Sequence, residues 1–456
     1  MTPQPTATSD RTDPVRIVCL VTLVASHGLI RLAERYLPEF VVAIGRGPIV
    51  AGALVTLGLG VAAAAAERSS DPTAAETRAI APTAAAVASA LIAAVGLLAW
   101  AGAPTLDILL GTPLSSLGWL AVGIVLLQAW HVRGPAKGLW PTDTRVASPP
   151  SSATAVPDDP SSRRGAVDAR PTRIVVGAIG VAAAAVFAAA AVASADRVSA
   201  GFALVAAAAA AVGLVGAVAL GSVGERSPLL GDRSRREGVE RDTDVATDAD
   251  SALGAVSSAA SRLPDRRRWA VIGDALVRVA LAGSWPFLIL LVVEYRSIGL
   301  SIGGLSLAPA AVFGLFVLAE AAGAIVGAVA APALASRLDR RALLAVGLAV
   351  VSLLPMVLVA APPSAGIVAV LFGLLGCRTA IEPLRPTVGA SARPAPVPGP
   401  RLPDAVRTAV RFAVVPAPLI GGLLYAADPI FAFTVATTVG LLGVRELGRA
   451  FQFDRR

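Results

Sequence analysis

Apolar residues in this chain come in long runs of roughly 20 residues or more, bounded by arginine, proline or polar stretches. An α-helix rises about 1.5 Å per residue, so about 20 apolar residues cross the hydrocarbon of a bilayer. Twelve such runs can be marked out. The first half holds Arg16–Ile44, Gly47–Ala66, Ala79–Ala101, Leu106–Trp130, Arg173–Ser194 and Val198–Gly221. The second half holds Trp269–Val293, Leu305–Ala333, Ala342–Ala361, Ser364–Pro386, Ala405–Ala426 and Pro429–Leu447. The last two are separated at Asp428-Pro429, a dipeptide that favours a turn.

Two long polar stretches break this rhythm. Pro141–Pro171, rich in Ser, Pro, Asp and Arg, is expected to be a disordered loop. Gly224–Arg268 is charged, carries an acidic tract at 242–250, and leaves six runs on either side. A shorter Pro-rich stretch, Arg393–Pro403, lies between the tenth and eleventh runs, where Pro141–Pro171 lies between the fourth and fifth. A shared rhythm of this kind is expected of parallel repeats related by an axis along the membrane normal. The expected fold class is an all-α integral membrane protein of twelve transmembrane helices in two six-helix bundles. Its expected divisions are a tail at 1–15, a bundle at 16–221, a linker at 224–268, a second bundle at 269–447 and a tail at 448–456.

Composition removes the soluble alternative. Of 456 residues 55% are hydrophobic and only 15% charged, against about 25% charged in soluble domains. The net charge of +8 comes from arginines between apolar runs rather than along one face, which argues against nucleic acid as a partner. Those arginines report topology instead. Alternate loops hold only Arg46, Arg197 and Arg296, whereas the others hold clusters such as Arg266-Arg267-Arg268. Cytoplasmic loops collect such residues, so both termini are expected in the cytoplasm. The first run lacks a small-residue cleavage site and is read as a retained helix.

Little points to a cofactor. Cys19 and Cys377 lie inside apolar runs, and His27 and His131 are too few for a zinc cluster. Neither a P-loop nor a His-Glu-x-x-His motif occurs, which argues against direct ATP drive and against an enzyme.

An ionisable side chain at the centre of a spanning helix costs about 2.5–3.5 kcal/mol on insertion scales, so those inside the runs are the candidates for function. The first run holds His27, Arg31, Glu34 and Arg35, spaced to share a helical face. The seventh holds Asp274 and Arg278, four apart, ahead of Trp285-Pro286-Phe287. Glu320 stands in the eighth among Gly and Ala. The tenth and eleventh hold Arg378, Glu382 and Arg385, then Arg407 and Arg411. One reading is a polar central cavity, with carboxyls to carry protons and arginines to hold anionic substrate groups. The other is internal ion pairs that fix helix packing, or residues that snorkel to water. Burial favours the neutral form of a carboxyl, and Glu320 has no cation on its own helix. That makes it the best placed proton carrier, with an interhelical pair as its other reading and Asp274 next in line. The Gly323-x-x-x-Gly327 spacing suits close helix packing. Pro286, Pro416 and Pro418 can bend their helices.

Four segments carry a resemblance. They are Tyr36-Leu37-Pro38-Glu39-Phe40 with Gly45-Arg46-Gly47-Pro48; Gly273-Asp274-Ala275-Leu276-Val277-Arg278; Arg337-Leu338-Asp339-Arg340-Arg341; and Arg378-Thr379-Ala380-Ile381-Glu382-Pro383-Leu384-Arg385 with Val415-Pro416-Ala417-Pro418. Together they resemble the major facilitator superfamily, the last being similar to a prokaryotic permease subgroup. The resemblance implies a multi-pass permease of the cell membrane that moves a small-molecule substrate by alternating access, with the proton as one form of drive and lipid as its surroundings. It implies a gating role for Arg337, Arg340 and Arg341. Where that loop expects Gly and Asp, this chain has Pro332 and Ser336, and Asp339 replaces a second Gly. A non-transporting receptor or scaffold derived from the same fold is therefore the alternative.

Overall fold

The structure, a computed structural model, describes residues 14–70, 82–106, 115–133, 169–195, 197–224, 263–386 and 402–452, with the single positions 258 and 261. The first half contributes α1 (Pro14–Ala43), α2 (Pro48–Ser70), α3 (Pro82–Gly102), α4 (Ser116–Arg133), α5 (Ala169–Ser194) and α6 (Val198–Gly224). The second contributes α7 (Asp265–Ser284), α8 (Pro309–Arg337), α9 (Arg340–Ala360), α10 (Ala365–Gly376), α11 (Asp404–Val414), α12 (Ala417–Ala427) and α13 (Pro429–Gln452). Among the described residues eleven helical segments are long and apolar enough to cross a membrane, and Ser116–Val132 is a shorter apolar helix. Helices satisfy every backbone group internally, which is what a bilayer demands of a spanning segment. Their outward faces carry exposed Val218, Val329, Val346 and Val370. This is a multi-pass membrane protein.

The proline-marked runs are interrupted as their chemistry requires. Pro286 has no N–H to donate, and α7 passes there into a 3-10 turn, Trp285–Phe287, a single helical turn, Leu288–Leu290, and a π turn, Leu291–Tyr295. The eleventh run divides into α11 and α12 at Val415-Pro416. The tenth continues past α10 as two 3-10 turns, Cys377–Ala380 and Glu382–Leu384.

Several boundaries differ from the sequence reading; α4 begins at Ser116 rather than Leu106, and α13 runs to Gln452, past the expected end at Leu447. The eighth helix begins at Pro309, because Leu300–Ile302 (β1) and Leu305–Leu307 (β2) form an antiparallel hairpin. Its loop is Gly303-Gly304, both at positive φ (57° and 87°), the conformation that a two-residue hairpin turn needs and glycine supplies. Helix α5 begins at Ala169, inside the expected loop Pro141–Pro171, and α7 takes in Asp265–Arg268 from the end of the linker. The remainder of both polar stretches lies outside the described residues. At its start, α9 is capped by Asp339, whose side chain accepts from the Arg341 N–H at 3.0 Å. At its end, Arg296 donates to the carbonyls of Val359 and Ala361, placing a cation at a helix C-terminus.

Packing sorts the helices into two sets of matching pattern. In the first, α1 packs on α6 and α5, α3 on α6 and α4, and α2 on α4. In the second, α7 packs on α13 and α12, α9 on α13 and α10, and α8 on α10. The sets meet through α5 with α8 and α2 with α12, a pair of contacts related by the same exchange of halves. Glycine makes the closest approaches. A Cβ on Gly376 would collide with the Glu320 carbonyl, and one on Gly323 with the Gly373 backbone. The Gly323-x-x-x-Gly327 face is therefore the contact of α8 with α10 and the turn that follows it.

Candidate functional site

A cavity of about 620 Å³ lies between the two sets. His27, Arg31 and Arg35 line it from α1, Trp285 from the α7 continuation, Glu320 from α8 and Arg378 from beyond α10. On α1 these residues fall at intervals of four, so successive turns point one polar stripe inward.

Two ion clusters organise the cavity. Arg31 Nη1 donates to Glu34 Oε2 at 3.2 Å, and His131 Nε2 on α4 donates to Glu34 Oε1 at 2.6 Å. One turn further along α1, Arg35 Nη2 donates to both oxygens of Glu320 at 2.9 Å. Arg378 Nη1 donates to Glu320 Oε1 at 3.0 Å and to the Leu375 carbonyl at 3.2 Å. The Trp285 ring carries both guanidiniums, with Arg35 Cζ 4.4 Å and Arg378 Cζ 4.1 Å from its centroid, a cation–π geometry. Arg35 belongs to the first half of the chain and its three partners to the second, so this cluster ties the halves together.

Beyond the cavity, toward the C-terminal end of α1, the halves close on aromatic rings. The Tyr36 hydroxyl donates to the Ala310 carbonyl at 2.8 Å, and its ring meets Phe313 edge-on at 5.6 Å. Behind this crossing contact, within the second half, Phe372 packs against Phe313 and Phe316, and Tyr425 against Phe287 and Phe433. Backbone approaches complete the seal. Gly52 sits against the Pro418 carbonyl, Gly422 against the Pro48 carbonyl, and the Leu419 N–H donates to Thr56 Oγ1 at 3.0 Å. One end of the interface is thus packed and the other holds the polar cavity.

The candidates from the sequence divide between two places. Arg31, Glu34, Glu320 and Arg378 meet at the cavity. Asp274, Arg278 and Glu382 do not line it. Asp274 is fully buried against Arg385, whose Nε donates to Asp274 Oδ1 at 2.6 Å, with Arg278 Nε at 3.3 Å and Glu382 on the far side of Arg385 at 3.4 Å. This second cluster fastens α7 to the chain after α10, within one half of the molecule. Arg411 is exposed on α11 and away from the cavity. Of the loop arginines, Arg337 is exposed, and Arg340 and Arg341 are half-buried in the first turn of α9.

Glu320 needs a correction. It has no cation within reach on its own helix, but Arg35 from α1 and Arg378 from the turn after α10 both donate to its carboxylate. The argument for an unpaired proton carrier does not apply to it. Single-helix spacing also left out His131 as the partner of Glu34, because that contact crosses 97 residues of chain.

No family model matches the chain. No curated protein matches it in sequence. Solved structures match its fold over nearly its whole length. The nucleoside transporter NupG aligns over 96% of this chain and 99% of its own, at 10% identity and a TM-score of 0.60. The peptide transporter POT in complex with sulfate aligns over 98% and 97%, at 14% identity and a TM-score of 0.58. A POT family transporter in complex with 5-aminolevulinic acid aligns over 98% of each chain, at 12% identity and a TM-score of 0.54. The chain has the fold of these transporters, as the sequence resemblance implied.

Proposed function

We propose that this protein is a secondary active transporter of the cell membrane, with both termini cytoplasmic, that moves a small solute by alternating access. The observation that carries this reading is the asymmetry of the bundle interface, where a polar cavity crossed by the Arg35–Glu320–Arg378 bridge lies at one end and an aromatic seal at the other. The residues lining the cavity lie at mid-length on α1 and α8, toward the start of α5 and just past the end of α10. With the N-terminus inside, this is the cytoplasm-facing state, and rocking of the bundles would part the seal and close the cavity.

The solute is a small molecule bearing an anionic group. Arg31, Arg35 and Arg378 stand against the two carboxylates Glu34 and Glu320, an excess of fixed positive charge. A substrate carboxylate or phosphate would exchange with Glu320 for Arg378 and so loosen the bridge between the bundles. An enzyme is not the reading favoured, since the cavity holds ion pairs rather than an activated nucleophile. In proteoliposomes challenged with a panel of labelled nucleosides, peptides and organic anions, with and without a proton gradient, gradient-dependent uptake of an anionic member is expected. Saturable binding of such a solute without flux under any gradient would favour the receptor reading instead.

A further inference from the structure

The seal contains an ionisable group that the cavity does not use. Glu39 sits on α1 one turn beyond Arg35, at 3% exposure, and its Oε2 is buried without a hydrogen-bond donor. Among the described residues no ion pair engages it. The Tyr425 hydroxyl, at 7% exposure, is buried and likewise lacks a partner. Glu294, at the end of the α7 continuation, acts on both Glu39 and Tyr425, and Glu39 and Tyr295 act on Tyr425 as well. Arg35 is committed to Glu320. Of the other helices packed on α1, α2 and α5 carry ionisable residues only near their opposite ends and α6 carries none, while Arg46 and Arg197 are exposed in the turns. Among the described residues the surroundings of Glu39 thus offer a second carboxyl, while Arg296, just past the α7 continuation, is held on the Val359 and Ala361 carbonyls.

We propose that Glu39 is a proton-binding site and that the seal closes only when Glu39 carries a proton. A buried carboxylate with neither donor nor counter-charge carries an uncompensated desolvation penalty, whereas the neutral acid packs without it. Glu39 comes from the first bundle, and Glu294 and Tyr425 from the second. Parting the bundles here hydrates the carboxyl, which then releases its proton to the water entering the seal, and closing requires the proton back. The closed form is the one that holds the proton, so its population is complete at low pH and falls as pH rises. With one proton linked, the closed-to-open ratio changes about tenfold per pH unit above the midpoint. This rests on the alternating-access reading, but its test needs no solute and no flux, so either can fail alone.

The test is a distance measurement across the sealed end. Spin labels at Arg197→Cys and Ser364→Cys, both exposed and one on each bundle, are placed in full-length protein lacking Cys19 and Cys377 and reconstituted in lipid. The short separation is expected to dominate at pH 5 and a longer one to grow toward pH 9. Glu39→Gln should hold the short separation at every pH. Tyr425→Phe should keep the pH response. Glu294→Gln, at an exposed position, should move the midpoint to lower pH by removing a neighbouring negative charge. A pH-independent wild type, an unchanged response in folded Glu39→Gln, its loss in Tyr425→Phe or an unmoved midpoint in Glu294→Gln each overturns the proposal. The wild-type, Tyr425→Phe and Glu294→Gln outcomes are read without Glu39→Gln, so a misfolded Glu39→Gln leaves the question decidable.

Discussion

Replacing Glu320 by alanine would leave Arg35 and Arg378 facing each other across Trp285 with no counter-charge. The carboxylate accepts three charge-assisted hydrogen bonds, at 2.9, 2.9 and 3.0 Å, and its side chain is 8% exposed. Removing one member of a buried ion pair costs about 3–5 kcal/mol, mostly because the partner charge stays behind. The arginine side chains are 19% and 31% exposed, so cavity water recovers part of the loss, and about 2–4 kcal/mol is expected for Glu320→Ala. Glu320→Gln keeps one oxygen in the place of Oε1, which accepts from both arginines, and loses the charge and one contact, about 1–2 kcal/mol. Pairing Arg35→Ala with Glu320→Ala in a double-mutant cycle isolates the link between bundles, with an expected coupling of about 1–3 kcal/mol. Equilibrium unfolding in mixed detergent micelles measures it. A coupling under about 0.5 kcal/mol would show that the bridge does not hold the bundles in this state.

Three further outcomes are expected. Asp274→Ala strands Arg385 in a fully buried site and should cost about 3–5 kcal/mol, read in the same unfolding assay, with no change in cavity labelling. Gly376→Val drives side-chain atoms into the Glu320 carbonyl and should cost about 1–3 kcal/mol or more by overpacking, while Gly366→Ala, with open space around it, should change stability by under about 0.5 kcal/mol. Reporter fusions after Gly138 and Leu253 should signal cytoplasm and one near Asp196 the outside; an external signal from Leu253 would break the proposed topology.

Much of the architecture was legible because a bilayer enforces one rule. Apolar runs long enough to cross become helices, and Asp428-Pro429 and Pro416 interrupt them where a missing N–H or a turn demands it. The hairpin at Leu300–Leu307 escaped, since Leu305 and Leu307 extend the apolar run that follows, and the Gly303-Gly304 turn was the only signal against it. The site was legible only in part. Spacing along one helix found Arg31 with Glu34 and Asp274 with Arg278. It was blind to contacts between helices, so it left Glu320 without the two arginines that hold it and Asp274 without Arg385. It also passed over Glu39, because a carboxyl near a helix end looks solvated until the opposing bundle is seen to cover it.

The claim that the cavity is reached alternately from the two sides has a direct test that requires no substrate. Ala324 lines the cavity on α8, and Ala324→Cys in a background lacking Cys19 and Cys377 offers a single thiol to a membrane-impermeant maleimide. In sealed vesicles of each orientation the thiol should react from both faces, faster from the face where the N-terminus lies. Reaction from that face alone, across the full pH range in which the protein stays folded, would contradict alternating access and leave a static membrane receptor.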